Sequence, residues 1–340
     1  MNAQDELKAT VQAMVQDGKG ILAADESAPT IAKRFQAIAL EPTEENRRAY
    51  RSLILGTKGL GEFVSAVILF EETLLQRDGE GSLLPELAAR QGIVPGVKVD
   101  AGKGPLALAP GDEVTHGLDG LAKRLEGYKK SGARFAKWRA VYNVSATLPG
   151  GAAIDANAHA LARYAAICQE QGVVPIVEPE VLIDGDHGIE RCAEVTEAVL
   201  HEVFSALFRQ RVVLERIVLK PSMVVPGKAN ARQAAPDEVA AQTLRVLRRC
   251  VPAAVASINF LSGGQTPAEA TANLDALNRC GAQPWPLSFS YGRALLDPAL
   301  KAWGGRADQV RSGQAALLKR ARLNGAACLG RYTATLEAQT

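Results

Sequence analysis

The chain has 340 residues, 47% hydrophobic and 22% charged, the balance of a globular enzyme rather than of a disordered or fibrous chain. A formal net charge of +2 argues against a nucleic-acid or membrane-surface partner, so any basic group that matters acts locally. Val64 to Phe70, among the longest apolar runs, falls far short of the ~20 residues that span a bilayer, and Asp5, Glu6 and Lys8 interrupt any secretory segment, so a cytoplasmic location is expected.

In chain order, the first predicted element is a helix with Leu7, Val11, Met14 and Val15 on one stripe. Eight apolar runs follow, most closing on polar residues: Gly20 to Glu26, Val64 to Glu71, Gly96 to Asp100, Ala133 to Arg139, Val173 to Glu180, Ile217 to Ser222, Ala254 to Leu261 and Pro286 to Tyr291. Most gaps between them are long enough for a crossover helix. Asn157 to Gln171 places Ala160, Leu161, Tyr164, Ala165 and Cys168 on one stripe, and Glu190 to Arg209 does so with Val195, Val199, Val203 and Leu207. Pro236-Asp237-Glu238 opens another helix with proline and early acidic charge, and Ala307 to Leu329 reads as a C-terminal helix. Strands alternating with helices predict the α/β class: a parallel eight-stranded β/α (TIM) barrel with added N- and C-terminal helices. The expected organisation is a single domain over 1–340, with 330–340 as a tail.

Chemistry in such a barrel sits at the carboxyl ends of the strands. There the runs supply Asp25 and Glu26, Glu71 and Glu72, Lys98 and Asp100, Lys137 and Arg139, Glu178 and Glu180, and Lys220. Residues i and i+2 share a face, so Lys137 with Arg139, and Glu178 with Glu180, point the same way. Lys220 ends an otherwise apolar run and is followed by proline. Burying that ammonium favours its neutral form, and a shift of about three units from ~10.4 would leave half of it nucleophilic at neutral pH. A neutral lysine amine attacks ketones to form a Schiff base. A neighbouring cation at Lys137 would lower its pKa further, and a carboxylate at Glu178 could shuttle protons. The bland alternatives are a lysine that snorkels to solvent and a lysine–glutamate pair that merely closes the barrel top. The last two strands end in Ser262-Gly263-Gly264 and Tyr291-Gly292-Arg293, where glycine N–H groups and a guanidinium suit a phosphate.

Five cysteines (Cys168, Cys192, Cys250, Cys280 and Cys328) are irregularly spaced, which suggests neither a disulfide framework nor a zinc site. Asp184-Gly185-Asp186-His187 gathers metal-ligand types but reads as a polar turn. No metal and no cofactor are expected.

The chain resembles the class I (Schiff-base) fructose-bisphosphate aldolases along nearly its whole length. The resemblance rests on Gly20 to Ser27, Glu44 to Arg48, Phe135 to Arg139, Ile176 to Glu180, Leu219 to Ser222, Phe260 to Gln265, Ser290 to Leu295 and Lys301 to Gly305. It implies reversible, metal-free cleavage of fructose 1,6-bisphosphate to dihydroxyacetone phosphate and glyceraldehyde 3-phosphate in glycolysis or gluconeogenesis. It also implies Lys220 as the Schiff-base lysine, Glu178 as general acid/base, Lys137 as charge stabiliser, Asp25 as orienter of the amine and participant in cleavage, and Glu180 as support for the proton network. Ser262, Gly263, Gly292 and Arg293 would hold the 1-phosphate, and Ser27, Lys33, Arg34 and Arg139 the far end of the sugar. A homotetramer is the usual assembly of such relatives. Ala101 stands where the family often has lysine, leaving Lys103 in question near phosphate, and Ala28-Pro29-Thr30 leaves a hydroxyl only at Thr30. Relatives with a long tail use a terminal tyrosine to protonate the enamine; here Tyr332 or another group stands in for it, or proton exchange is slower. Competing readings are a Schiff-base aldolase preferring another phosphorylated ketose, such as sedoheptulose bisphosphate or fructose 1-phosphate, and a non-catalytic scaffold barrel.

Overall fold

The protein is described by a computed structural model over residues 2–338. Eight strands close a parallel barrel: β1 (Gly20–Ala24), β2 (Val64–Leu69), β3 (Val94–Lys98), β4 (Phe135–Tyr142), β5 (Val174–Val181), β6 (Val218–Leu219), β7 (Ser257–Phe260) and β8 (Leu287–Tyr291). Each strand pairs with the next in sequence, and β8 closes on β1 through Ile21 opposite Ser290 and Leu22 opposite Tyr291. This is the architecture predicted from the alternation of strands and helices.

The pleat sorts the side chains into two layers. Alternate residues such as Ile21, Ala66, Ile68, Phe135, Ile176 and Val218 point inward and form the apolar filling of the barrel. Their neighbours Leu22, Val67, Ala136, Val177 and Leu219 point outward into a larger core beneath the surrounding helices. The helix Ala3–Met14 seats Leu7, Val11 and Met14 against the inner layer, closing the amino-terminal end of the barrel. Ser65 fastens it by donating from Oγ to the Met14 carbonyl at 2.6 Å. At Gly96 a Cβ would lie 2.4 Å from the Phe135 ring, so that position must lack a side chain for the aromatic to fill the barrel.

Several boundaries differ from expectation. The run around Lys220 contributes only two strand residues, because Pro221 has no N–H to continue the ladder. Lys220 itself still donates its N–H to the Val177 carbonyl at 2.8 Å. The third strand starts earlier, at Val94, and includes Pro95, which has no N–H to give but whose carbonyl accepts from the Arg134 N–H at 2.9 Å. Val15, expected on the N-terminal helix, lies just past its end. The C-terminal helix runs over Val310–Cys328 after a short 3-10 turn at Ala307–Gln309. A two-stranded hairpin, Lys103–Pro105 with Glu113–Thr115, was not anticipated; it is too short to carry a legible alternation. No described helix is long and apolar enough to cross a membrane.

Candidate active site

The carboxyl ends of the strands surround a cavity of about 520 Å³, and all thirteen site residues proposed from the sequence line it. At its floor lies a chain of charges. Lys220 Nζ is 3.0 Å from Glu178 Oε1, Lys137 Nζ is 2.8 Å from Glu178 Oε2, and Lys137 Nζ is 2.9 Å from Asp25 Oδ2. Lys220, Lys137 and Glu178 are all buried. The β4–β5 register sets Arg139 opposite Glu178, and Arg139 pairs with Glu180.

The two lysines respond in opposite directions. Burial is the largest influence on Lys220 and pushes its pKa below the ordinary 10.5; the Lys137 ammonium adds to this, and Glu178 and Asp25 oppose it only in part. Lys137 suffers the same burial, but Asp25 and Glu178 together outweigh it and hold its pKa above the usual lysine range. Asp25 is likewise buried, yet Lys137 and Lys220 keep its carboxyl well below the usual range. The site thus holds a fixed cation at Lys137 and an ammonium at Lys220 that gives up its proton more readily than an exposed lysine does.

The far wall is built on β1 and the helix Ala28–Gln36. Glu26 points into this wall, where it accepts from Arg51 at 2.6 Å and pairs with Arg34. Arg51 and Arg34 outweigh the burial that would raise the Glu26 pKa, and hold it low. Ser27 and Thr30 lie side by side with their hydroxyl oxygens 3.1 Å apart, and Lys33 completes this edge. Next to them along the rim, Gly292 and Arg293 follow β8, the strand that pairs with β1, and Ser262 and Gly263 follow β7. A Cβ on Gly292 would lie 3.8 Å from Arg34 Nη2. Gly292 precedes the helix Arg293–Trp303, which no side chain caps, so its first N–H groups are available to an anion.

The cavity also contains groups to which the sequence reading gave no role. Lys98, on β3, pairs with Asp100 at 2.7 Å, and Ser290 is buried with its hydroxyl unpartnered. Ser290 was findable, since it shares the inward parity of Ser288 on the same strand. Lys103 is not on the cavity; it pairs with Glu113 across the hairpin. Nor is Tyr332, whose hydroxyl donates to Glu337 at 2.9 Å and whose N–H donates to Asp275 at 2.8 Å. A larger hollow of about 710 Å³ lies at the opposite end, around the Lys129–Glu6 pair, and contains none of the strand-end charges. Among the described residues no cluster of His, Cys, Asp and Glu has the arrangement of a metal site, and Asp184 to His187 lie in a loop that bends at Gly185 and Asp186.

A barrel with a buried lysine, a carboxylate and a second cation at its mouth, facing phosphate-sized groups of donors, defines a β/α-barrel enzyme of amine chemistry. The family described as fructose-bisphosphate aldolase class-I matches residues 6–340, and the chain belongs to it. A probable fructose-bisphosphate aldolase class 1 of Xanthomonas campestris is 54% identical over 329 residues, covering 96% of this chain and 98% of that one. A cytosolic fructose-bisphosphate aldolase of Arabidopsis thaliana is 52% identical over 93% of this chain and 80% of its own. A solved structure of fructose-bisphosphate aldolase from Plasmodium falciparum superposes with a TM-score of 0.96 at 48% identity, covering 97% of this chain and 96% of that one. The chain is accordingly a carbon–carbon lyase with fructose-bisphosphate aldolase activity.

Proposed function

We propose that the chain cleaves fructose 1,6-bisphosphate reversibly through a Schiff base on Lys220, in the cytoplasm and as one functional unit. The observation that carries this reading is the Lys220–Glu178–Lys137–Asp25 chain of contacts, all between 2.8 and 3.0 Å, in a buried cavity. The neutral Lys220 amine attacks the ketone carbon, and Glu178 moves the protons that convert the carbinolamine to an iminium with loss of water. Lys137 holds the charge that develops on oxygen. A carboxylate, with Asp25 in place to take part, accepts the 4-hydroxyl proton. The C3–C4 bond then breaks, its electrons pass to the iminium, and glyceraldehyde 3-phosphate leaves. The enamine is protonated at carbon, and water releases dihydroxyacetone phosphate from Lys220.

Glu180 supports the proton network by fixing Arg139. Ser262, Gly263, Gly292 and Arg293 hold the 1-phosphate, while Ser27, Lys33, Arg34 and Arg139 serve the 6-phosphate end. The homotetramer expected from the family belongs to the same proposal, and sedimentation checks it.

Borohydride reduction in the presence of dihydroxyacetone phosphate, followed by mass mapping, tests the mechanism. The expected result is one adduct, on Lys220, with none in Lys220→Met. An adduct elsewhere, or full activity in Lys220→Met, overturns it. The ratio of kcat/KM for fructose 1,6-bisphosphate over fructose 1-phosphate measures how much the 6-phosphate wall contributes.

A further inference from the structure

We propose that Lys228, outside the assigned set, is a further substrate-binding residue that adds a second cation to the phosphate cradle after β7 and β8. This rests on the reading of Ser262, Gly263, Gly292 and Arg293 as that cradle. The segment from Pro221 to Gly227 is buried and tightly fixed. The Gly227 N–H donates to the His187 carbonyl at 2.9 Å, the Lys228 N–H to Ile183 at 2.8 Å and the Ala229 N–H to Gly185 at 2.9 Å. At Gly227 a Cβ would lie 2.3 Å from the Gly185 carbonyl oxygen, so the loops after β5 and β6 are locked together at backbone distance. The backbone of Lys228 is therefore pinned, although its side chain is exposed.

From there the side chain crosses to the turn after β7. A Cβ placed on Gly264 would lie 2.7 Å from Lys228 Nζ and 3.4 Å from Arg293 Nη2. Two cations from different loops thus converge over one glycine. Among the described residues neither forms an ion pair or donates a hydrogen bond within the protein. Gly263 and Gly264 have φ of 54° and 91°, and their N–H groups also have no acceptor among the described residues. Like charges placed together without a counterion repel, and the arrangement is favourable once an anion occupies the gap. Two cations, free N–H groups and the Ser262 hydroxyl match the doubly charged phosphate monoester of the ketose half of the substrate. A side chain on Gly264 would occupy the space where Lys228 ends.

The role predicted is uniform binding: Lys228 holds substrate and transition state alike, because the phosphate does not change during the reaction. Lys228→Met should raise KM for fructose 1,6-bisphosphate about fivefold, with kcat retained, and Lys228→Arg should restore it. Trapping with dihydroxyacetone, which has no phosphate, should not respond to Lys228→Met. Arg293→Met, run alongside, tests the cradle itself and should weaken dihydroxyacetone phosphate trapping more strongly. If Lys228→Met matches the parent while Arg293→Met is impaired, Lys228 has no part in binding and the cradle stands. If Arg293→Met traps dihydroxyacetone phosphate as well as the parent does, the cradle reading and this proposal both fall. Equal impairment of Lys228→Met with dihydroxyacetone and its phosphate also overturns the proposal, because the effect would then be structural.

Discussion

Glu178 lies between two ammonium groups, and the difference between those two is what the proposed Schiff-base chemistry draws on. Lys137 contacts two carboxylates, whereas Lys220 contacts one and faces Lys137. The proton therefore stays on Lys137 and leaves Lys220 more easily. Lys137→Met removes the cation that helps lower the Lys220 pKa and leaves Glu178 and Asp25 to attract its proton. The neutral fraction of a lysine falls as pH drops below its pKa, so a raised pKa moves the acid limb of the rate profile upward. Schiff-base formation in Lys137→Met should accordingly shift to higher pH, with about a 10²-fold lower rate near neutrality. The rate of borohydride-trapped adduct formation, followed across the neutral and alkaline range, checks this. A variant slowed equally at every pH would remove Lys137 as a determinant of the Lys220 charge.

At the level of elements, strand ends brought the proposed catalytic chain together, and inside/outside alternation made its residues legible in the sequence. Lys137 with Arg139, and Glu178 with Glu180, could be given a common face by counting. The support behind them could not. Arg51 sits on the helix Glu44–Leu55, and nothing local in its sequence says that it turns inward to hold Glu26. Its partner is chosen by how that helix packs on the barrel, which is a tertiary outcome. Lys103 shows the same limit: Lys98 could be set at its strand end by counting, but the hairpin that carries Lys103 away from the cavity follows a turn without a clear pattern.

The Glu26–Arg51 pair makes a prediction of its own. Removing one partner of a buried pair costs about 3–5 kcal/mol, so Arg51→Met should lower the urea midpoint accordingly. Glu26 has a lowered pKa in the folded state, so its contribution is present above the ordinary value of 4.5 and lost as pH falls. Without Arg51 that folded pKa rises, and acid unfolding should begin at higher pH than in the parent. An unchanged acid transition would show that Arg34 alone keeps Glu26 ionised.

Across the whole molecule, stability and chemistry occupy opposite ends of one barrel. The carboxyl end carries charges whose burial is costly, while the amino end is closed by an apolar helix. Leu7, Val11 and Met14 are buried against the inner layer formed by Ile21, Phe135, Val174 and Val218. The sequence reading placed that helix and, apart from Val15, its stripe, but an N-terminal amphipathic helix could equally have packed on the outside of the barrel. Only the closed sheet creates the apolar mouth that it fills. Leu7→Ala would leave a cavity there and should cost about 2–5 kcal/mol, seen as a lower urea midpoint. Because the filled inner layer separates this end from Lys220, kcat of the folded variant at 25 °C should match the parent. Steady-state kinetics beside urea titration separates the two effects. A fall in kcat on the scale of the stability loss would mean that the plug also sets the geometry of the strand ends, and that the two ends are not independent.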